Sequence, residues 1–145
     1  MTFITVPTLS LQQSVVLTWL EALSRFDTET LGALLAEDYI SAIRPTSMGQ
    51  PDKGKEAGLK LASSTKTLFG ENEIKIEIYD LVETQRKVWV HARLTSETTT
   101  GVKYNSESIF MFTFGENVEP KIKKITEFCD SQVSKEFGEK LRQGL

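Results

Sequence analysis

The stretch that decides the fold is Gly101-Val102-Lys103-Tyr104-Asn105-Ser106-Glu107-Ser108-Ile109-Phe110-Met111-Phe112-Thr113-Phe114, followed after a polar connection by Lys121-Ile122-Lys123-Lys124-Ile125-Thr126-Glu127-Phe128-Cys129-Asp130-Ser131. It predicts two long strands, 103–114 and 121–129, joined by a polar turn. Alternation puts Asn105, Glu107, Ile109, Met111 and Thr113 on one face of the first strand, and Tyr104, Ser106, Ser108, Phe110, Phe112 and Phe114 on the other. In the second strand, strict alternation puts Ile122, Thr126, Phe128 and Asp130 on one face and Ile125, Glu127 and Cys129 on the other. Asn105, Glu107, Glu127 and Asp130 therefore stand beside a wall of aromatic residues. A carboxylate against apolar surface is costly unless something compensates it. Either it does acid/base work in a pocket, or it lies on a solvated sheet face. Strands of this length also call for strong bending or a bulge.

Upstream, the same period of two recurs. Ile74, Ile76 and Ile78 alternate with Lys75, Glu77 and Tyr79, and Val88, Val90, Ala92 and Leu94 alternate with Trp89, His91 and Arg93. Before residue 70 the period is helical. Ser10 and Gln13 form a capping-box pattern ahead of Leu11, Val15, Val16, Trp19, Leu20 and Leu23. Asp27 caps a second helix carrying Leu31, Leu34 and Leu35, which residues 37–40 end. Pro45, Gly49 and Pro51 mark a loop from Arg44 to Asp52, and a third helix follows to about Phe69. A short helix around 134–141 closes the chain. Helices followed by a strand meander predict an α+β fold in one domain, 1–145, with helices against one face of a curved antiparallel sheet.

Composition narrows the function. The chain has 145 residues, 39% hydrophobic and 26% charged, with net charge −3, which is ordinary for a globular domain. Its longest basic run, Lys121 to Lys124, is broken by Ile122, so nucleic acid is not an expected partner. No apolar run reaches the ~18 residues of a membrane span, and Met1 to Leu9 lacks the basic start and apolar core of a signal peptide. The single cysteine, Cys129, forms no internal disulfide. A reducing, cytoplasmic location is expected.

Three motifs occur in order: Pro45-Thr46-Ser47-Met48-Gly49-Gln50-Pro51, Gly101 to Glu107, and Lys121 to Ser131. Over about residues 10–138 the chain resembles the SnoaL-like family of the nuclear transport factor 2-like superfamily. The resemblance implies an α+β cone: about three N-terminal helices on a curved antiparallel sheet, enclosing a conical pocket. One departure bears on the last hairpin. Where the family carries an Asp-Gly turn, this chain has the longer Gly115-Glu116-Asn117-Val118-Glu119-Pro120. Superfamily members are isomerases, dehydratases, cyclases and epoxide hydrolases, or non-catalytic binders, so fold alone does not give the reaction.

A proton-moving reaction in such a cone needs a base and an acid whose pKa values burial brings toward neutrality. SnoaL-like cyclases use an acidic residue at the end of the last strand, and that resemblance points to Asp130 or Glu127. Only one of the two should face the cavity unless a bulge intervenes. Glu107 is a further candidate, although aromatic packing against the helices would turn it outward, into an interface. His91, the only histidine, shares a face with Trp89 and Arg93 and is a candidate proton relay or oxyanion donor, or else an interface residue. Tyr39 follows the second helix, and resemblance to ketosteroid isomerase-like enzymes would make it an oxyanion donor. Trp19, Trp89, Phe110, Phe112, Phe128, Asn105 and Arg44 are candidate ligand contacts, the aromatics also fitting a core. No zinc-type His/Cys spacing and no phosphate or dinucleotide motif occurs, so no metal and no cofactor is expected. Three readings remain open: a cofactor-free enzyme on a hydrophobic oxygenated metabolite such as a polyketide or terpenoid, a non-catalytic ligand binder, and an interaction module. All are compatible with a homodimer, because two apolar sheet faces do not both stay wet.

Overall fold

The structure is a computed structural model describing residues 8–143. The signal-peptide expectation falls mainly on residues 1–7, outside the described residues. Helix α1, Leu11–Ser24, begins at the capping box: the Ser10 hydroxyl accepts from the Gln13 N–H at 3.0 Å, and the Gln13 side chain accepts from the Ser10 N–H at 3.1 Å. Helix α2, Thr28–Ala33, begins where Asp27 accepts from the Thr30 N–H. It is shorter than the sequence predicts. Leu35 already opens strand β1, Leu35–Arg44, because the Leu34 carbonyl is taken by the Ile122 N–H at 3.0 Å. Residues 37–40 are thus strand rather than the end of a helix.

The Arg44–Asp52 loop holds a single 3-10 turn, Thr46–Met48, and leads to a two-residue strand β2, Lys53–Gly54. Helix α3, Lys55–Phe69, follows. It stops at Gly70, whose φ of +60° disfavours side chains, and a Cβ there would lie 2.7 Å from Thr99. Strands β3 (Lys75–Thr84), β4 (Lys87–Glu97), β5 (Lys103–Phe114) and β6 (Ile122–Cys129) complete the sheet. Helix α4, Ser131–Arg142, starts earlier than the sequence predicts, because Asp130 accepts from the Val133 N–H at 3.2 Å and nucleates the first turn.

The six strands run in the order β2-β1-β6-β5-β4-β3. The expected antiparallel sheet needs one correction: β1 pairs with β6 in parallel. A register shift in the β5–β6 pairing between Thr113 and Phe114 leaves Lys123 as an extra residue on β6. Ile122 and Ile125 therefore both point inward and are buried, where strict alternation would separate them. Beyond the bulge the predicted faces hold. The inner face of β5 presents Ser106, Ser108, Phe110, Phe112 and Phe114, all buried, against the helices. Val88, Val90, Ala92 and Leu94 continue it on β4. Trp19 meets Phe112 and Phe110 edge-on at ring separations of 5.4 and 6.1 Å, pinning α1 to the sheet. The outer face carries Lys103, Asn105, Glu107 and Ile109, which settles a choice that alternation alone leaves open in the direction that aromatic packing against the helices favours.

Candidate active site

Between the inner sheet face and the helices lies a cavity of about 280 Å3. Its helical wall is Trp19 and Leu23 of α1, Leu31 of α2, Leu59, Leu61 and Ala62 of α3, and Phe137 of α4. Leu61, 48% exposed, stands at the edge of this wall. Phe69 stacks between Phe26 and Phe137 and closes one end, with Tyr104 edge-on to both Phe69 and Phe137. The sheet side supplies most of the polar groups: Tyr39 and Ser41 of β1, Tyr104 of β5 and Glu127 of β6.

Glu127 is the one charged residue in that lining among the described residues. Its β6 position alternates with the outward Thr126 and Phe128, which turns the carboxyl inward. Burial pushes its pKa above the usual carboxylate range, and hydrogen bonds from Cys129 and Ser108 only partly oppose this. The Ser108 hydroxyl donates to Oε2 at 3.0 Å, and the Cys129 thiol donates to the same oxygen at 3.3 Å. Burial also raises the Tyr39 hydroxyl to about 12, and the charge of Glu127 pushes it the same way. Tyr104 is raised for the same two reasons. Both phenols are therefore neutral donors at physiological pH. The Cys129 thiol is pushed up by burial and by Glu127, which makes it a hydrogen-bond donor rather than a thiolate.

The structure divides the predicted site residues. Glu127, Tyr39 and Trp19 border the cavity, and Phe110 and Phe112 back Trp19 in the core. Asp130 is the N-cap of α4 instead, with its carboxylate engaged by Val133. His91 Nε2 and Glu107 Oε2 lie in hydrogen-bond contact at 2.5 Å on the outer face. Arg93 donates to Glu107 at 3.1 Å, to Asn105 at 2.8 Å and to Tyr79 at 2.9 Å in the same cluster. Trp89, 49% exposed, and Phe128, 47% exposed, share that outer face. Arg44 pairs with Asp52 at 3.0 Å across the loop. The sequence reading left Tyr104, Ser108 and Cys129 out of the site. The signal for Tyr104 and Ser108 is the face they share with Ser106, Phe110 and Phe112, and for Cys129 the face it shares with Glu127 on the last strand. Among the described residues no cluster of three or more His, Cys, Asp or Glu is arranged to hold a metal ion.

Helices roofing a curved sheet, with one inward carboxyl among tyrosines, define the α+β cone of nuclear transport factor 2-like proteins. No protein-family model matches the chain. Over 132 residues it is 30% identical to core atranone cluster (CAC) protein 11 of Stachybotrys chlorohalonatus, covering 90% of this chain and 92% of that relative. BvnE pinacolase of Penicillium brevicompactum superposes with a TM-score of 0.79 at 18% identity, over 93% of this chain and 99% of its own. A SnoaL-like protein of Shewanella denitrificans OS-217 superposes with a TM-score of 0.73 at 13% identity, over 91% and 99%. The chain belongs to the family of core atranone cluster protein 11, and its fold is that of the SnoaL-like, nuclear transport factor 2-like proteins.

Proposed function

We propose that the protein is a cofactor-free enzyme that moves a proton on a hydrophobic, oxygenated small molecule, in an isomerase, cyclase, dehydratase or epoxide hydrolase type of reaction. The observation that carries this is Glu127: a lone carboxyl in a largely apolar cavity, its pKa raised by burial, with the neutral phenols of Tyr39 and Tyr104 beside it. A carboxyl tuned upward can both release and recover a proton near neutral pH, and a buried phenol can hold a developing oxyanion. The relative named for the core atranone cluster and the neighbour named a pinacolase support a place in fungal-type metabolite chemistry. The substrate class favoured is a polyketide or terpenoid small enough for a cavity of about 280 Å3.

The test is thermal stabilisation by a panel of neutral polyketide, terpenoid and epoxide compounds, followed by turnover with wild type and Glu127→Gln. A ligand at about 100 times its Kd adds roughly 2.7 kcal/mol of stability. Turnover lost in Glu127→Gln with ligand stabilisation retained supports the enzyme. Stabilisation without turnover of any stabilising compound would make the protein a binder.

A homodimer formed through the outer sheet face is part of the same proposal. Trp89, Phe128, Ile109 and Tyr79 are exposed there around Arg93 and Glu107. A patch carrying apolar groups and both signs of charge is self-complementary, as a two-fold interface requires. The free thiol of Cys129 fits a cytoplasmic setting, and no described helix is long and apolar enough to cross a membrane.

A further inference from the structure

The two oxygens of Glu127 are not equivalent. Oε2 accepts from both Ser108 and Cys129, whereas Oε1 has no hydrogen-bond partner among the described residues. A protonated carboxyl has one acceptor oxygen and one donor O–H. Two donors converging on Oε2 make it the acceptor and leave the proton on Oε1. The surroundings favour that neutral form. From α1 the cavity receives Trp19 and Leu23, from α2 Leu31, from α3 Leu59, Leu61, Ala62 and Thr65, and from α4 Phe137. None of these is cationic. The titratable groups facing Glu127 from the sheet are Tyr39, Tyr104 and Cys129, all of which become anionic rather than cationic on ionising. An ionised Glu127 would face a largely apolar cavity with no counter-charge, which disfavours the carboxylate.

We propose that Glu127 rests as a neutral acid with its proton on Oε1, that Ser108 and Cys129 are positioning residues that fix this arrangement, and that the cavity consequently selects uncharged ligands presenting a carbonyl, ether or hydroxyl oxygen to that proton. Carboxylates, phosphates and other anions are excluded, since nothing in the lining neutralises them. The ligand half of this proposal rests on the cavity being the ligand site, as argued above. The resting state of Glu127 does not.

The test is carboxyl-carbon NMR of full-length protein labelled at the glutamate side chains, without ligand, with Glu127→Gln assigning the resonance. The expected result is a Glu127 signal still in its protonated position well above about 4.3, the value of a free glutamate side chain. Ser108→Ala and Cys129→Ala each move its midpoint further up, because each removes a donor to the charged form. Cys129→Ser restores it, which a packing role for the thiol would not, and it remains informative if the alanine variants fail to fold. A Glu127 signal titrating at the free-glutamate value of about 4.3 overturns the proposal. So does a midpoint unmoved in Ser108→Ala and Cys129→Ala, or one that Cys129→Ser leaves displaced. For the ligand half the probes are 2-decalone and decahydronaphthalene-2-carboxylate, compared by melting shift at neutral pH. Stabilisation by the ketone alone is expected, and stabilisation by the carboxylate overturns neutral selection. If neither probe acts, neutral selection for this ligand size falls, while the NMR midpoint still decides the state of Glu127.

Discussion

The hydroxyl of Ser108 lies 3.0 Å from the Oε2 atom of Glu127, across the pairing of β5 with β6 and nineteen positions away in the chain. That contact joins two inner-face residues that the sequence shows only as members of separate alternating patterns. It fixes the one inward carboxyl of the cavity and makes Glu127 the first target for mutation.

Glu127→Gln is expected to raise the melting temperature at about pH 8 and to match wild type at about pH 4. The sign follows from a folded pKa above the ordinary value of 4.5. An acid shifted upward contributes its full stability below the unfolded value, and loses that contribution as pH rises through the folded value. Glutamine carries no such loss. Thermal denaturation of both proteins across this range checks it, and parallel curves would show that Glu127 is not shifted.

Asp130→Ala should cost about 1 kcal/mol, the usual value of a helix N-cap, and Asp130→Asn much less. The reason is the hydrogen bond from Val133 that opens α4. Denaturant unfolding measures the loss. Because Asp130 does not line the cavity, ligand stabilisation in Asp130→Asn should equal that of wild type. A loss of ligand stabilisation in Asp130→Asn would return Asp130 to the site.

Tyr39 should remain un-ionised through the interval around pH 10 in which an ordinary tyrosine titrates, since burial holds it at about 12. Alkaline ultraviolet titration of wild type and Tyr39→Phe tests this. The two curves should coincide below about pH 11 and separate only above it. A tyrosinate amplitude missing from Tyr39→Phe near pH 10 would place Tyr39 in water.

Trp89→Glu should weaken self-association by at least about tenfold, as loss of a central aromatic anchor does, and should leave the fold intact because its side chain is half exposed. Sedimentation measures both proteins at micromolar concentration. A wild-type protein that is monomeric there removes the dimer. A Trp89→Glu variant that stays dimeric moves the interface off the outer face.

Much of this molecule is written in local chemistry. The caps at Ser10 and Asp27 appear where their side chains predict them, because a cap needs only a hydroxyl or carboxylate three residues from an orphan N–H. The change from helical to alternating periodicity before β3 and the shared face of the β5 aromatics are equally local, whereas the direction that face turns is not. The α+β cone follows from these patterns together with the three ordered motifs. What the chain could not state by itself is which of Glu127 and Asp130 turns inward, and that α2 yields to β1 at Leu35. Asp130 leaves the sheet because it nucleates α4, and Ile122 changes face because Lys123 bulges out of the register with β5. The parallel pairing of β1 with β6 joins residues some eighty positions apart, so no short-range pattern encodes it. Residue types determined which groups were available for chemistry. The tertiary structure decided which of them share a cavity, because a single extra residue or a long-range strand pairing reverses the face on which a side chain lies.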